Sequence, residues 1–263
     1  VIRRSLDTVN ESAERAIPVD KFLALFWQRF GNGDLRRRSS VLDALGRAWC
    51  DHEGLEPNNT TVVFKEKSQA IFFDELKADL PSLKMIHLVR DPRDNYAALK
   101  AGVANHYAKL GENELMTLAS LINRCRMDMI AARINAKCHR DAFLAIRFED
   151  LVRQPESALR KTSGFLGWEF HDSMLAPTIL GKPTAGNNYD GKQFIEINSS
   201  HAGAWRERIS AAEAKVIEYW CEREMRDWGY EPAFNEVERQ TEFARFYAWY
   251  NCQYFYSDSF STR

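Results

Sequence analysis

The sequence predicts a helix-rich α/β fold built around a central parallel β-sheet. Two runs of β-branched and apolar residues, 60–64 and 84–89, flank an amphipathic segment at 68–80, which is the pattern of a β-α-β unit. Only 13 glycines and 8 prolines occur among the 263 residues, a smaller share than the usual value of about 12%. Units of this kind form parallel sheets, and ligands bind at the carboxyl ends of the strands.

The region before this unit is predicted to be helical. Apolar residues recur at helical spacing over 22–30 and stop at a turn that begins with Gly31. Ser40 followed by Asp43 has the spacing of a capping box and precedes a second apolar run. We expect two or three helices in the first fifty residues.

The chain after the β-α-β unit alternates predicted helices with one more strand. In order, we predict a helix over 112–138, a strand over 142–148, a helix over 155–166 that stops at Gly167, irregular chain over 177–204, and a helix from Ser210 to 228. Aromatic residues crowd the segment 235–260, which is more typical of core packing or of a contact between subunits than of a ligand site.

Composition excludes several classes of protein. With 36 basic and 37 acidic residues the net charge is -1, so the chain is not predicted to bind nucleic acid, and any anion site must be local. The five cysteines lack any C-x-x-C pair, which disfavours a disulfide scaffold and a metal site. No long apolar stretch indicates a membrane span or a signal peptide. We therefore expect a soluble protein in a reducing compartment.

The segment that follows the second predicted strand has the residues of an anion site. Arg90 emerges at the carboxyl end of that strand, Asp91 can cap the next helix, and Pro92 suits its first position. A guanidinium beside a helix N-terminus suits a phosphate or a sulfate. The alternative, which the motif alone leaves equally open, is an ion pair between arginine and aspartate that closes the turn.

Lys65 supplies a second cation at the end of the preceding predicted strand. Two positive groups on adjacent strand ends favour an anion site in a chain without net positive charge. A flexible lysine can also stabilise charge that develops on a group in transfer. The alternative is a solvated lysine in a loop.

Four motifs in one order resemble the sulfotransferases that use 3′-phosphoadenosine-5′-phosphosulfate (PAPS). They are Lys65 with RDPRD at 90–94, RFEDL at 147–151 with Pro155, FLG at 165–167, and GAWR at 203–206. The resemblance covers residues 60–231. It implies a P-loop-type, three-layer α/β/α fold in one domain over 1–263, with a helical acceptor-side region (1–56), a PAPS-binding core (57–232) and an aromatic C-terminal extension (233–263).

The resemblance also assigns roles to individual residues. Arg90 matches the arginine that binds the 3′-phosphate of the cofactor, and Lys65 matches a lysine that contacts the sulfuryl group. Phe148 stands where many members have a tyrosine beside the adenine. Gly203, Trp205 and Arg206 resemble the loop that folds over the 3′-phosphate and the adenine.

The sequence departs from the family pattern at several positions. Ala98 replaces a serine that binds the 3′-phosphate, and Asn198-Ser199 replaces a basic pair before the loop. Lys67 replaces a histidine base, which favours a carboxylate base, with Glu66 as the best visible candidate. A phosphosulfate loop of the form G-x-P-R-S-G-T is absent, so we expect the sequence to be part of a longer chain.

The resemblance predicts an enzyme that transfers a sulfuryl group from PAPS to a hydroxyl or amine, without a metal, and releases 3′-phosphoadenosine-5′-phosphate (PAP). The predicted acceptor is a small molecule, a carbohydrate or a peptide. The missing loop motivates the alternative of a non-catalytic nucleotide-binding or interaction protein with the same fold. We further predict a cytoplasmic location, with a luminal domain as the alternative, and self-association through the aromatic C-terminal segment.

Overall fold

The computed structural model of the chain describes residues 18–65, 67–102, 114–179, 182–183 and 196–255. The chain divides into two compact units. The first comprises Val1–Leu83 with Pro177–Thr184, and the second comprises Lys84–Ala176 with Ala185–Arg263.

The described elements alternate helices with short strands. In order they are α1 (Val19–Phe30), α2 (Arg38–Glu53), α3 (Phe73–Asp79), β1 (Met85–Val89), α4 (Pro92–Gly102), α5 (Glu114–Cys138), β2 (Phe143–Arg147), α6 (Phe148–Arg153), α7 (Pro155–Leu166), β3 (Thr178–Ile179), β4 (Lys182–Pro183), α8 (Trp205–Arg208), α9 (Ala211–Asp227) and α10 (Glu236–Phe255). Short 3-10 turns span Pro57–Asn59, Gln69–Phe72 and Asp172–Leu175.

The first unit is centred on a pair of packed helices, α1 and α2. The aromatic side chains of α1 pack against small residues of α2 in one core cluster, formed by Phe22, Phe26, Phe30, Ala44 and Ala48. Small residues allow the two helices to approach closely, and the aromatic rings supply most of the buried apolar area. Two of the two or three helices predicted for the first fifty residues are therefore present, and residues 1–17 lie outside the described part of the chain.

Two local predictions in this unit are wrong. The segment 60–64 forms no strand, and Val63 is 73% exposed. Its β-branched residues favour an extended backbone, but a strand also needs a partner for its ladder, and no described segment pairs with it. The predicted cap at Ser40 lies inside α2, which begins two residues earlier; the neighbouring Ser39 donates a hydrogen bond to Asp79 at 2.6 Å.

The second unit contains a parallel sheet of the predicted kind, but its strands are not the two of the predicted β-α-β unit, because the segment 60–64 is not one of them. β1 and β2 pair in parallel, with Met85 opposite Phe143 and Val89 opposite Arg147. The connection between them carries α4 and α5, and α5 packs against both strands. Two predicted strands, 84–89 and 142–148, are thus confirmed. Because the strands run in parallel, the residues that follow them meet at one edge of the sheet.

Helices α5, α9 and α10 pack in sequence within the second unit. α9 packs against α5, and both helices carry buried apolar residues, among them Leu118, Ile122, Ile217 and Met225. α10 packs against α9, where Phe243 stacks on Tyr219 and Trp220 at ring distances of 4.6 and 5.2 Å. Part of the aromatic C-terminal segment therefore packs within the chain.

Helix ends in this unit follow their sequence signals. α7 begins at Pro155 and ends before Gly167, which adopts a left-handed conformation with φ of 78°. α9 begins with a capping box, in which Ser210 and Glu213 bind each other's backbone N–H groups. The predicted irregular segment 177–204 also contains the short antiparallel pair β3–β4. Within the described ranges, no helix is both long and apolar enough to cross a membrane.

Candidate functional site

Arg90 lies at the carboxyl end of β1 and is the centre of the candidate site. The strand ends at the buried Val89, and the Arg90 guanidinium lies over the ring of Phe148 at 4.6 Å. Its Nη2 donates a long hydrogen bond of 3.4 Å to the carbonyl of His201. Its Nε is buried and has no hydrogen-bond partner among the described residues. Burial lowers the pKa of Arg90, and the acidic groups of Asp94 and Glu149 offset this only in part.

The ion pair at the turn after β1 is made by a different arginine. Asp91 accepts the backbone N–H of Arg93 at 2.9 Å, so it caps α4 as the sequence predicts. Its carboxylate is paired with the Arg93 side chain, with an Nη2 to Oδ2 distance of 2.7 Å. No ion pair joins Arg90 to a carboxylate in the described part of the chain. The ion pair of the alternative interpretation is therefore present but is made by Arg93, and the anion site at Arg90 stays a prediction.

Arg93 connects α4 to α9, to the chain after α9 and to Trp205 at the start of α8. It is 3% exposed, and its Nη1 donates to Glu218 at 2.6 Å and to the carbonyl of Glu231 at 3.1 Å. Its guanidinium lies 4.3 Å from the ring centre of Trp205. Burial alone would lower the pKa of Arg93, but Asp91 and Glu218 raise it. Sequence reasoning assigned this residue no role, because both arginines of RDPRD give the same local signal.

The residues after β2 complete the same edge of the sheet. Because Val89 is opposite Arg147, Arg90 and Phe148 are the next residues of the two neighbouring strands. Glu149 is buried and accepts hydrogen bonds from the backbone N–H of Asp91 at 3.0 Å and from the Tyr230 hydroxyl at 2.6 Å. These bonds fix the turn that carries Arg90 relative to the turn that carries Phe148.

Tyr230 is held in its neutral form beneath this edge. Burial raises its pKa, and the adjacent Glu149 carboxylate raises it further. The Arg147 guanidinium lies 4.5 Å from the Tyr230 ring centre, and the Arg147 Nε is buried without a hydrogen-bond partner among the described residues. Two guanidinium groups with incomplete hydrogen bonding therefore lie at the ends of adjacent strands.

The loop before α8 is held by Asp94, which is 1% exposed. The Asp94 carboxylate accepts the backbone N–H of Gly203 at 2.6 Å and that of Trp205 at 2.8 Å. Gly203 has a φ of 86°, a left-handed conformation that favours glycine; a Cβ at this position would meet only the flexible end of Arg206, at 3.2 Å from its Nη1. Sequence reasoning gave Asp94 no role. The only sequence feature that points to it is its place as the second aspartate of RDPRD.

Trp205 anchors this loop in the core. It is 5% exposed and packs with Ala97 of α4 and Ala214 of α9. The guanidinium of Arg206, which is itself exposed, lies 4.6 Å from the centre of its ring. With the indole covered, the half-buried Phe148 is the more accessible of the two predicted adenine neighbours.

The second unit thus contains all five predicted cofactor-binding residues, Arg90, Phe148, Gly203, Trp205 and Arg206. Lys65 lies in the first unit, where it is exposed, and Glu66 lies outside the described residues. The catalytic roles of these two residues stay predictions.

The geometry fits an anion attached to a flat ring. The buried Arg90 Nε without a partner among the described residues can donate to a phosphate or sulfate oxygen, and the half-buried Phe148 ring, one face of which lies against the guanidinium, is an aromatic neighbour of such an anion. Among the described residues, no group of three or more histidine, cysteine, aspartate or glutamate side chains could hold a metal ion.

Comparison with known proteins gives matches of one kind. The family model described as "Sulfotransferase family" matches residues 7–172. The mouse protein "Carbohydrate sulfotransferase 7" is 30% identical over 106 residues, which is 39% of this chain and 22% of the relative. The human "Carbohydrate sulfotransferase 1" is 25% identical over 171 residues, which is 60% of this chain and 41% of the relative. The chain thus spans less than half of the length of either relative.

One solved structure supports the fold. It is the "Sulfotransferase Domain from the Curacin Biosynthetic Pathway", with a TM-score of 0.54 over 86% of this chain and 84% of that chain. The sequence identity is 16%, so this likeness concerns the fold alone. It agrees with the predicted helix-rich α/β class with a parallel sheet.

Proposed function

This chain belongs to the sulfotransferase family, and from that premise we propose that it transfers a sulfuryl group from PAPS to a hydroxyl or amine of an acceptor. The observation that carries the proposal is the Arg90 guanidinium, which is desolvated, lacks an ion pair among the described residues and has a free Nε at the carboxyl edge of the sheet. A buried cation in this state favours an anionic ligand that supplies the missing partner.

Arg90 would bind the 3′-phosphate of the nucleotide, and Phe148 would stack beside the adenine. Gly203, Trp205 and Arg206 would form the loop over both groups. Asn198 and Ser199 bring no charge to this loop; the Asn198 side chain instead accepts hydrogen bonds from the Ser200 backbone N–H at 3.1 Å and from its hydroxyl at 2.6 Å. The proposed charge on the 3′-phosphate side therefore comes from Arg90 and Arg206.

The proposed chemistry needs two further groups of this chain. PAPS supplies an activated sulfuryl group bound to a phosphate. Glu66 would accept the proton of the acceptor hydroxyl, which makes the acceptor oxygen a stronger nucleophile. Lys65 would stabilise the negative charge that develops on the sulfuryl oxygens. PAP would be the second product.

Replacement of Arg90 by methionine tests the nucleotide site. Loss of charged hydrogen bonds should weaken PAP binding by about 2 to 4 kcal/mol, which is about 30- to 900-fold in Kd, as measured by calorimetry. The unliganded variant should be as stable as the parent or more stable, because a buried charge without an ion pair has been removed.

Arg160→Met is the matched control. Arg160 also lies over a phenylalanine ring, Phe170 at 4.1 Å, but it is exposed on α7 and paired with Glu156. This variant should bind PAP like the parent. Equal PAP affinity in the Arg90 and Arg160 variants would refute the proposed nucleotide site.

The second candidate function is a non-catalytic nucleotide-binding protein. The observations that favour it are Ala98 and the uncharged pair Asn198-Ser199, at positions where the family pattern has phosphate-binding side chains. Incubation with ³⁵S-labelled PAPS and a panel of acceptors separates the two functions. Labelled product supports the enzyme, whereas PAP binding without product supports the alternative.

Carbohydrates are the first acceptors to test, because the two curated relatives are named as carbohydrate sulfotransferases. Phenols and peptides complete the panel. Self-association through the aromatic segment 233–263 and a cytoplasmic location stay proposals. Sedimentation of the purified chain, and microscopy of the tagged full-length protein, would test them.

A further inference from the structure

The Asp94 carboxylate joins α4 to the loop that precedes α8. It accepts two backbone N–H groups of that loop, from Gly203 at 2.6 Å and from Trp205 at 2.8 Å. Ala204, which lies between them, donates its N–H to no acceptor within the described residues. One side chain therefore sets the backbone of the loop at two points.

The same loop also contacts Arg90. The carbonyl of His201 accepts the Arg90 Nη2 at 3.4 Å, two residues before the first amide that Asp94 binds. Arg90 and Asp94 lie on either side of the start of α4, so one short segment makes both of these contacts to the loop. A shift of the loop would thus change the environment of the guanidinium.

We propose that Asp94 is a positioning residue that keeps the loop at 201–205 closed against the start of α4 before any nucleotide binds. The proposal rests on the proposed function, because it gives this loop its place over the nucleotide site. Pre-ordering of the loop lowers the entropy that binding must otherwise supply, so it raises affinity for PAP and PAPS without a new contact to either.

The electrostatics of Asp94 agree with this role. Burial raises its pKa even though the two amide hydrogen bonds lower it, which means that the ionised carboxylate is held at a net cost to the folded state. Residues kept at such a cost are common at functional sites. Glu213 in the same unit differs: burial raises its pKa, but hydrogen bonds from Ser210, Tyr96 and Lys100 outweigh this, so its pKa is lowered.

Asp94→Asn tests the proposal, with Glu213→Gln as the matched control. Asparagine keeps the shape of the side chain but offers one oxygen where the loop needs two acceptors. Amide hydrogen exchange in the unliganded protein should become about 10-fold faster at Gly203 and Trp205 in D94N and stay unchanged in E213Q. The Kd for PAP should rise about 10-fold in D94N only, with KM for PAPS raised and kcat little changed.

Amide hydrogen exchange in the unliganded parent protein tests whether Asp94 holds the loop even if D94N fails to fold. The amides of Gly203 and Trp205 should exchange more slowly than the amide of Ala204 between them. Equal rates at these three positions would overturn the proposal, as would unchanged exchange or unchanged PAP affinity in a folded D94N variant. Absence of PAP binding to the parent would instead refute the proposed function, and the exchange result would still decide whether Asp94 holds the loop.

Discussion

Replacement of Arg93 by methionine should lower the free energy of unfolding of the chain strongly. Methionine has a similar length but carries no charge. Arg93 is 3% exposed and is bound to two buried carboxylates, Asp91 at 2.7 Å and Glu218 at 2.6 Å. Without the guanidinium, both carboxylates stay buried with their charges uncompensated. Removal of one partner from a buried ion pair costs about 3 to 5 kcal/mol.

The size of the effect follows from what each carboxylate retains. In the variant, Asp91 still accepts a hydrogen bond from the backbone N–H of residue 93. Glu218 still accepts the backbone N–H groups of Ala233 at 2.9 Å and Phe234 at 3.2 Å. These bonds solvate the charges in part, so we expect the middle of the range, about 4 kcal/mol. The melting temperature should fall by about 8 to 16 °C.

The assay is urea unfolding of four proteins: the parent, Arg93→Met, Glu218→Gln and the double variant. Because the two side chains share a buried ion pair, the double-mutant cycle should give a coupling energy of about 1.5 to 3 kcal/mol. The exposed pair Arg160–Glu156, at 2.8 Å, is the control and should give about 0.5 kcal/mol. A loss below about 1 kcal/mol in Arg93→Met, or no coupling, would refute this account of Arg93.

Two further predictions concern buried acidic groups of the second unit. The lowered pKa of Glu213 means that it stabilises the folded state above its ordinary pKa of about 4.3 and that this contribution is lost as the pH falls through the lower pKa of the folded state. Urea unfolding between about pH 3 and pH 7 should show a flatter acid limb for Glu213→Gln than for the parent, and parallel limbs would contradict this. Tyr230→Phe removes the hydroxyl that donates to Glu149 at 2.6 Å and should lower the free energy of unfolding by about 1 to 3 kcal/mol. A phenylalanine variant as stable as the parent would show that Glu149 finds another donor.

Features that depend on neighbouring residues in the sequence could be predicted. The capping box at Ser210 and Glu213, the start of α7 at Pro155 and the end of α7 at Gly167 need only a local signal, and the structure has all three. Asp91 as the cap of α4 belongs to the same group. Each of these features satisfies backbone groups within a few residues of the side chain concerned.

Features that depend on distant partners could not be predicted with the same success. The segment 60–64 has the composition of a strand but no partner strand in the described structure. Ser40 has the spacing of a cap, yet α2 begins earlier at Arg38. The different partners of Arg90 and Arg93 depend on residues more than 100 positions away, namely His201 and Glu218.

The five residues at 90–94 divide between folding and ligand binding in a way that affects how family members should be compared. Asp91 and Arg93 are paired with each other, Pro92 starts a helix, and Asp94 binds a loop, which leaves Arg90 with unused hydrogen-bonding capacity. A relative that lost only this first arginine would keep the other four residues and the same turn. Retention of the other four residues therefore reports a common fold, and the proposed role of Arg90 predicts that the first arginine separates nucleotide-binding members from those that have lost the ligand.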